Sequence, residues 1–277
     1  MDQVTVDQLT GVAQSYAAMQ SWRNLRFVGA GAFKATYLVE TPKPIALKVF
    51  APGAVNLRSV REIEVLQRVS GTHNSLPRFL GVDLFDYAAQ QQFVISLEEY
   101  ISGTPLPKLT IDRVAPIAIQ LAEALELLAA QKLVHRDIKP DNLLLAGERP
   151  VLIDFGLCRD LAQGSLTQTW APQGPCTPYF AAPEQLNNEK ELIDHRTDQF
   201  GLGVTLSVAS FGGHPFARPG DHPTRTIERV ASREPMSDEF IEWARRQAPA
   251  LVSMVSPWSF QRYRRPSDLT LAWKGLR

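Results

Sequence analysis

The stretch of sequence that decides the fold reads His135-Arg136-Asp137-Ile138-Lys139-Pro140-Asp141-Asn142. It places a carboxylate, a cation and an amide in one predicted loop. Asp137 is a candidate general base, Lys139 a candidate phosphate-binding group, and Asn142 a candidate metal ligand. These three groups are what a highly charged, loosely bonded transition state requires. A polar loop that caps a strand is the alternative for the His-Arg-Asp triplet taken alone.

Two motifs on either side of this stretch point to related chemistry. Downstream, Asp154-Phe155-Gly156 follows the apolar run Val151-Leu152-Ile153, which predicts a strand with an acid at its end. Carboxylate oxygens hold Mg²⁺, so we expect Asp154 to ligate one metal ion and Asn142 a second. Upstream, Phe27-Val28-Gly29-Ala30-Gly31-Ala32-Phe33 is a glycine-rich segment. Backbone amides in such a segment can close over phosphate oxygens because glycine has no Cβ.

A lone lysine lies among apolar residues in the predicted strand Ile45-Ala46-Leu47-Lys48-Val49-Phe50. A buried lysine needs an anion. Two anions could serve Lys48: the phosphates of a bound nucleotide, or Glu62 on the predicted helix from Ser59 to Val69. Apolar residues at helical spacing turn one face of that helix inward and leave Glu62 beside it. The alternative is that Glu62 is a surface residue of an amphipathic helix.

In this order the motifs resemble those of the eukaryotic-type (Hanks-type) Ser/Thr protein kinase catalytic domain, and we expect a bacterial member of that family. Further matches are Thr177, at the place where Ser/Thr kinases of the family carry a threonine beside the catalytic Asp, and the triplet Ala182-Pro183-Glu184. Asp198 resembles the acid that, in the family, anchors the backbone of the catalytic loop from a buried helix. The resemblance also makes Arg265 the partner of the carboxylate in that triplet. It covers the chain from about Leu25 to about Leu269.

The resemblance implies an α+β, bilobal protein-kinase fold, with a small β-rich N-lobe that holds one key helix and a larger helical C-lobe. We expect an N-terminal helical extension over residues 1–21, the N-lobe over 22–102 and the C-lobe over 103–277. In the extension, Thr5-Val6-Asp7-Gln8 matches a capping box. Apolar residues that recur at helical spacing predict a helix docked on the smaller lobe. A regulatory role for that helix is the second possibility.

The resemblance also implies which residues act. It gives catalytic roles to Asp137, Lys139, Lys48 and Glu62, and metal ligation to Asn142 and Asp154. ATP would be bound by Val28, Gly29, Gly31, Phe33, Thr36, Ala46, Lys48, Glu99, Ile101 and Leu144, with Mg²⁺ as the metal and Mn²⁺ as a substitute. Ala46 and Leu144 would enclose the adenine, and hinge amides near Glu99 to Ile101 would bind its edge.

Three positions depart from the family pattern. Lys34 stands where a third glycine is usual, Thr36 where a valine usually covers the adenine, and Glu98 at the gatekeeper position. If this strand register is right, Glu98 competes with Glu62 for Lys48. A catalytically inactive binding scaffold is therefore one alternative to an active enzyme.

The substrate class follows from Lys139, which stands two residues after Asp137 as in the Ser/Thr kinases of the family. We expect transfer of the ATP γ-phosphoryl group to protein Ser/Thr hydroxyls, with autophosphorylation. A small-molecule phosphotransferase is a further alternative, but it would lack Thr177 and the Ala-Pro-Glu triplet that dock a peptide.

Regulation by phosphorylation is less defined by the sequence. Arg136 and Arg159 could hold an activating phosphate, yet the usual phosphosite position holds Gln173. The nearest upstream hydroxyls belong to Ser165, Thr167 and Thr169. Either one of these is phosphorylated or the kinase needs no such switch.

Composition sets the remaining expectations. The 277 residues, 44% of them hydrophobic, can bury a large core. The 29 basic and 29 acidic residues balance, so net charge does not favour nucleic acid or an anionic membrane. No apolar segment reaches the roughly 18 residues of a membrane span, and two cysteines provide no disulfide framework. We expect a cytoplasmic protein with no membrane segment that acts on protein substrates, and the oligomeric state stays open.

Overall fold

A computed structural model gives the structure of the chain and describes residues 1–31, 33–51, 57–88, 91–162 and 176–275. The chain forms two compact units. The small unit consists of Met1–Thr72 and Leu76–Ser102, and the large unit of His73–Ser75 and Gly103–Arg277.

The small unit is built on an antiparallel sheet. Its helices are α1 (Gln3–Met19) and α2 (Leu57–Val69), and its strands are β1 (Leu25–Ala30), β2 (Lys34–Val39), β3 (Ile45–Phe50), β4 (Phe79–Tyr87) and β5 (Gln91–Glu99). The strand order is β1-β2-β3-β5-β4. Lys48 on β3 lies opposite Thr36 on β2 and Ser96 on β5. Because side chains alternate between the two faces along a strand, Lys48, Ser96 and Glu98 share one face of the sheet.

Helix α1 covers the opposite face of this sheet. The two elements form one core from helix residues Leu9, Val12, Ala13 and Tyr16 and strand residues that include Tyr37, Leu47, Val49, Phe93 and Ile95. The expectation that the N-terminal helix docks on the small lobe is therefore confirmed. The capping box predicted at Thr5 is wrong, because the helix begins earlier: the Asp2 carboxylate accepts the Thr5 backbone N–H at 2.9 Å.

Gly11 lies where α1 comes close to Tyr87 of β4. A Cβ at this position would be 2.6 Å from the Tyr87 hydroxyl oxygen. The close approach gives a reason for a glycine that costs about 1 kcal/mol relative to alanine inside a helix. The Tyr16 hydroxyl also donates a hydrogen bond to Asp83 of β4. Helix α1 is thus held on the sheet by both packing and a polar contact.

The large unit is mainly helical. Its helices are α3 (Ile111–Ala130), α4 (Pro183–Leu186), α5 (His195–Ser210), α6 (Pro223–Ala231), α7 (Asp238–Gln247), α8 (Pro249–Met254) and α9 (Pro266–Lys274). Its strands are β6 (Thr104–Pro105), β7 (Leu133–Val134), β8 (Leu143–Ala146), β9 (Arg149–Leu152) and β10 (Arg159–Asp160). Short 3-10 turns span Pro140–Asn142, Phe155–Leu157, Pro178–Phe180, Lys190–Leu192 and Ser259–Gln261. The strands form a β6-β8-β9 sheet and a β10-β7 pair.

Helix α5 is central to the large unit and is buried along most of its length. It packs against α3 and α8. At Gly203 of α5, a Cβ would lie 2.9 Å from the Met254 Cβ, so glycine permits the close contact with α8. The α+β prediction of a β-rich small unit and a larger helical unit is confirmed. Within the ranges that the structure describes, no helix is both long and apolar enough to cross a bilayer.

Candidate active site

The predicted site residues fall into two sets, one in each unit. The small unit holds Lys48 and Glu62 with most of the predicted nucleotide-binding residues. The large unit holds the other set: Asp137, Lys139, Asn142, Leu144, Asp154 and Thr177.

Lys48 is buried on β3 and is held mainly by Glu98. Its Nζ lies 2.6 Å from Glu98 Oε1 and 2.7 Å from Oε2. The same nitrogen lies 3.8 Å from Glu62 Oε1. The Ser96 hydroxyl donates to Glu98 at 3.3 Å. Glu98 therefore lies beside Lys48, as the expected strand register implied, and in this structure it lies closer to the lysine than Glu62 does. Its competition with Glu62 stays a prediction.

Glu62 has a second cationic neighbour that the sequence analysis did not identify. Lys34 of β2 forms an ion pair with Glu62 Oε1, and its Nζ lies 5.9 Å from the centre of the Phe50 ring. The sequence singled out Lys34 only as a missing glycine. Alternation of side chains along the strand could have revealed the charge of Lys34 beside Glu62, because Lys34 stands two residues before Thr36, which is opposite Lys48. Lys34 and Lys48 therefore share a face of the sheet.

The glycine-rich segment forms the turn between β1 and β2. The pairing shifts register between Phe27 and Gly29, and the Gly31 N–H donates to Lys34 O at 2.9 Å. Among the described residues, no atom would lie within 4 Å of a Cβ added at Gly29 or Gly31, so on their side the backbone is open to an approaching group. Val28 and Phe33 are exposed beside it. Ala32 lies outside the described residues.

The hinge prediction needs a correction for two amides. The Glu99 N–H donates to Arg78 O at 2.8 Å, and the Tyr100 N–H donates to Pro44 O at 3.0 Å. These N–H groups are used within the small unit and are not available to an adenine edge. Glu99 would have to act through its carbonyl oxygen, while Ile101 keeps its predicted role as a donor.

In the large unit, the catalytic loop (His135 to Asn142) gathers polar groups around Asp137. The Thr177 hydroxyl donates to Asp137 Oδ1 at 2.6 Å. Lys139 Nζ donates to Asp137 Oδ2 at 2.8 Å and to the Thr177 hydroxyl at 2.7 Å. Asn142 Nδ2 donates to Asp137 Oδ2 at 2.8 Å and to its backbone oxygen at 2.9 Å. The sequence predicted this group, and the structure brings it together.

Asp198 on α5 anchors the backbone of the catalytic loop, as the sequence predicted. Its carboxylate accepts the N–H groups of His135 at 2.7 Å and of Arg136 at 2.8 Å. Burial raises the pKa of Asp198 to about 7, while these two bonds act in the opposite direction. The anchor fixes Arg136 in a left-handed conformation with φ of 70°, which is uncommon for a residue with a Cβ.

His135 links the catalytic loop to the end of β9. Its Nδ1 accepts the Asp137 N–H at 3.3 Å, and its Nε2 lies 3.1 Å from Ile153 O. This pattern requires the proton on Nε2, which then donates to Ile153. Burial lowers the pKa of His135, in agreement with a neutral ring. The Phe155 ring packs edge-on against it at 4.8 Å between centroids. No role of its own was expected for His135 from the sequence.

Asn142 and Asp154 both carry side-chain oxygen atoms of the kind that ligate a hard cation. The Ile153 N–H donates to Asn142 O at 2.8 Å, which brings the catalytic loop beside the residue that precedes Asp154. Because the Asn142 amide nitrogen donates to Asp137, its side-chain oxygen is the atom that can ligate a metal. Asp154 has φ of 64° and accepts the Gly156 N–H at 3.4 Å. Oxygen donors of this kind suit Mg²⁺.

The predicted partner of Glu184 is wrong. Arg262, not Arg265, pairs with this carboxylate, with Nη1 to Oε1 at 2.6 Å and both side chains fully buried. Arg265 is exposed and pairs with Asp268 instead at 2.9 Å. Arg265 is also the residue that precedes the first turn of α9, where the backbone carries its side chain to the surface.

Two arginines of the large unit lie near one another. Burial and the neighbouring Arg159 both lower the pKa of Arg136. Within the described residues, Nε of each arginine is buried without a hydrogen-bond partner. Ser165, Thr167, Thr169 and Gln173 lie outside the described residues. Burial raises the pKa of the Cys176 thiol beside this pair to about 11, which disfavours a reactive thiolate.

The comparisons with known proteins agree with this arrangement. The model of the protein kinase domain family matches residues 22–267, so the chain belongs to that family. Its relatives include a probable serine/threonine-protein kinase, PkwA of Thermomonospora curvata, which is 31% identical over 77% of this chain and 29% of that protein. The serine/threonine-protein kinase AfsK of Streptomyces griseus is 29% identical over 75% of this chain and 26% of that protein. Serine/threonine-protein kinase 36 of Pongo abelii is 31% identical over 72% of this chain and 15% of that protein.

The family prediction is confirmed, and bacterial proteins are among these relatives. The chain spans less than a third of the length of the relatives it matches. The family uses ATP with a divalent metal ion and acts on protein substrates, which the predicted chemistry anticipated.

Proposed function

We propose that this chain transfers the γ-phosphoryl group of ATP to serine and threonine hydroxyls of proteins. The observation that carries the proposal is the closed set of hydrogen bonds among Asp137, Lys139 and Thr177. A carboxylate positioned for an incoming hydroxyl, next to a cation for the transferred phosphoryl group, supplies both general-base and electrostatic catalysis. The names of the relatives support the same specificity.

Asp137 is the proposed base. Its Oδ1 already accepts a hydrogen bond from one hydroxyl, that of Thr177, and a substrate serine or threonine presents the same donor. As the substrate oxygen bonds to the γ-phosphorus, the bond from that phosphorus to the bridging oxygen of ATP breaks. Asp137 takes the hydroxyl proton late in this step, and Lys139 stabilises the charge on the moving group.

The remaining roles belong to metal and nucleotide binding. Asn142 and Asp154 would hold Mg²⁺, with Mn²⁺ as a substitute, and the metal ion neutralises phosphate charge when bound. Lys48 would contact the α- and β-phosphates. The nucleotide would be enclosed by Val28, Gly29, Gly31, Phe33, Thr36, Ala46, Glu99, Ile101 and Leu144.

Turnover by active-site variants tests the proposal. With radiolabelled ATP, Mg²⁺ and a generic protein substrate, Lys48→Ala and Asp154→Asn should each lower the rate at least about 10³-fold, because each removes several kcal/mol of transition-state stabilisation. Glu148→Gln, at an exposed position of the large unit, is the matched control and should retain activity. Near-normal turnover in either active-site variant would overturn the assignment. Nucleotide binding by the unaltered protein without any turnover would indicate a scaffold instead.

Phosphoamino-acid analysis of the labelled substrate tests the hydroxyl class. Label on serine and threonine is expected from the contact of Lys139 with Thr177. Label mainly on tyrosine would refute the Ser/Thr assignment while leaving phosphoryl transfer intact.

We also propose that Arg136 and Arg159 receive a phosphate on Ser165, Thr167 or Thr169. The support is their mutual approach with unpaired Nε atoms, because a phosphate would offset two like charges. Mass spectrometry after incubation with ATP should find one of these residues modified.

The expected cytoplasmic location and the absence of a nucleic-acid partner stay predictions, and cell fractionation and a binding assay would check them.

A further inference from the structure

Four buried or largely buried charges form one cluster on the sheet of the small unit. The charge cluster consists of Lys34, Lys48, Glu62 and Glu98. Glu62 and Glu98 are each 4% exposed and Lys48 is 8% exposed, while the Lys34 side chain is 15% exposed. Two cations and two anions balance, so the cluster as a whole is neutral.

The pairing inside the cluster is specific. Lys48 engages both oxygens of Glu98, at 2.6 and 2.7 Å, and is 3.8 Å from Glu62. Lys34 engages Glu62. The sheet register explains this choice, because Glu98 is directly opposite Ala46, two residues from Lys48 on the same face. Each carboxylate therefore has a close cation, although Glu62 is not the closest partner of Lys48.

Exchange of partners in this cluster has an energetic consequence. A buried carboxylate that loses its cation carries a large desolvation penalty. A phosphate that draws Lys48 away from Glu98 must overcome that penalty, and it must also approach the negative charge of Glu98 itself. An adenosine without phosphates meets neither cost.

We propose that Glu98 is a positioning residue that holds Lys48 away from nucleotide phosphates, and that Lys34 permits this arrangement by serving as the second cation of Glu62. Phosphate binding then requires Lys48 to leave Glu98. The inference rests on the proposed nucleotide role of Lys48. It makes Glu98 a determinant of how strongly the chain prefers ATP over adenosine.

Calorimetric binding of Mg²⁺-ATP and of adenosine tests the role of Glu98. In Glu98→Gln, ATP should bind about ten-fold more tightly, because a neutral amide competes poorly with phosphate for a cation. Adenosine affinity should change less than about two-fold, which is less than the net contribution of one hydrogen bond. Glu64→Gln is the matched control, since Glu64 is an exposed carboxylate on α2, and it should change neither affinity.

Three results would overturn the inference. The first is unchanged or weaker ATP binding in Glu98→Gln. The second is an equal change for ATP and adenosine, which would indicate a reshaped adenine site. The third is an equal effect of Glu64→Gln, which would indicate a general effect of charge.

The role of Lys34 is tested by a double-variant cycle. Lys34→Gln alone leaves two carboxylates around Lys48, so ATP should bind more weakly than to the unaltered protein. Lys34→Gln combined with Glu98→Gln leaves the neutral pair of Lys48 and Glu62, and this protein should melt at a higher temperature than Glu98→Gln alone. Additive effects of the two substitutions would refute the coupling. If Glu98→Gln does not fold, the double variant still supplies the binding measurement, and ATP affinity equal to that of Lys34→Gln would refute the role of Glu98.

The two proposals fail in different ways. If the unaltered protein binds neither ATP nor adenosine, the proposed function is wrong. If it binds both and the Glu98 and Lys34 variants behave like the Glu64 control, the proposed function stands and the inference about the charge cluster is wrong.

Discussion

Replacement of Arg262 is predicted to destabilise the large unit strongly, whereas replacement of its near neighbour Arg265 is not. Arg262 makes a bidentate ion pair with Glu184, at 2.6 and 3.1 Å. It also donates to Ser256 O at 2.9 Å and lies 4.9 Å over the Phe200 ring. Arg262→Ala leaves a fully buried carboxylate without its cation. Loss of one partner from a buried pair costs about 3–5 kcal/mol.

Thermal unfolding measures the effect. For a unit of this size, each kcal/mol lowers Tm by roughly 2–4 °C, so Arg262→Ala should lower it by roughly 6–20 °C. Arg265→Ala is the control: its side chain is 78% exposed, and its partner Asp268 stands three residues on, in the first turn of α9. Its Tm should stay close to that of the unaltered protein.

A comparable loss in both variants, or a larger one in Arg265→Ala, would refute the assignment of the Glu184 partner. A small loss in Arg262→Ala alone would show that the Glu184 carboxylate relaxes to water or to another cation. Circular dichroism of each variant at low temperature establishes that the folded state is being compared.

Three further predictions concern the catalytic loop, α1 and pH. Thr177→Val removes the hydroxyl that donates to Asp137 and should lower kcat about 10- to 100-fold, because a hydrogen bond to a charged group contributes about 1.5–3 kcal/mol. Thr177→Ser keeps the hydroxyl and should retain most of kcat. Steady-state kinetics of both variants checks this. Gly11→Ala should raise the free energy of unfolding by about 1 kcal/mol in a Tyr87→Phe background, through its higher helix propensity. It should not do so in the unaltered protein, because the Tyr87 hydroxyl oxygen would lie 2.6 Å from the new Cβ. Urea unfolding of the unaltered protein, the two single variants and the double variant measures the difference. Burial lowers the pKa of His214 from 6.5 to about 4, so its contribution to stability, about 3 kcal/mol, is present above pH 6.5 and lost as the pH falls towards 4. His214→Gln should weaken this dependence of the unfolding free energy on pH. An unchanged profile of the unfolding free energy against pH would contradict the prediction.

The sequence predicted best those parts of the site whose residues stand close together in the chain. Asp137, Lys139 and Asn142 stand within six residues, so one short loop can bring their side chains together. Asp198 was predicted from the resemblance to the kinase family, and its donors are backbone N–H groups of the catalytic loop. Glu98 was placed by the hinge pattern of the family, and alternation along β5 puts it on the same face of the sheet as Lys48.

Most of the predictions that were wrong required a choice between neighbouring residues that could play the same role. Arg262, Arg264 and Arg265 stand within four positions, and only the path of the chain around α9 decides which one is buried. The start of α1 posed the same problem, because Asp2 and Thr5 are both residues that cap helices. The hinge amides were misjudged for a different reason: Arg78 and Pro44 lie far from Glu99 in sequence, and propensity carries no information about such contacts.

Lys34 shows the limit of pattern matching most clearly. Compared with the family pattern, it is only a substitution for a glycine. In the folded small unit it is a cation beside Glu62. A position-by-position comparison therefore assigns it to the wrong property, since the charge matters only once β2 and α2 are brought together.

The position of α1 separates two boundaries that are easily equated. Similarity to the family begins at residue 22 and ends at residue 267, yet α1 precedes the first limit and most of α9, with the fully buried Trp273, follows the second. A fragment trimmed to residues 22–267 would open the back of the sheet to water and remove the indole from the core of the large unit. Such a fragment would retain every proposed catalytic group and still be prone to aggregate. We therefore expect a piece that includes α1 and all of α9 to be more stable than one trimmed to the limits of the family similarity.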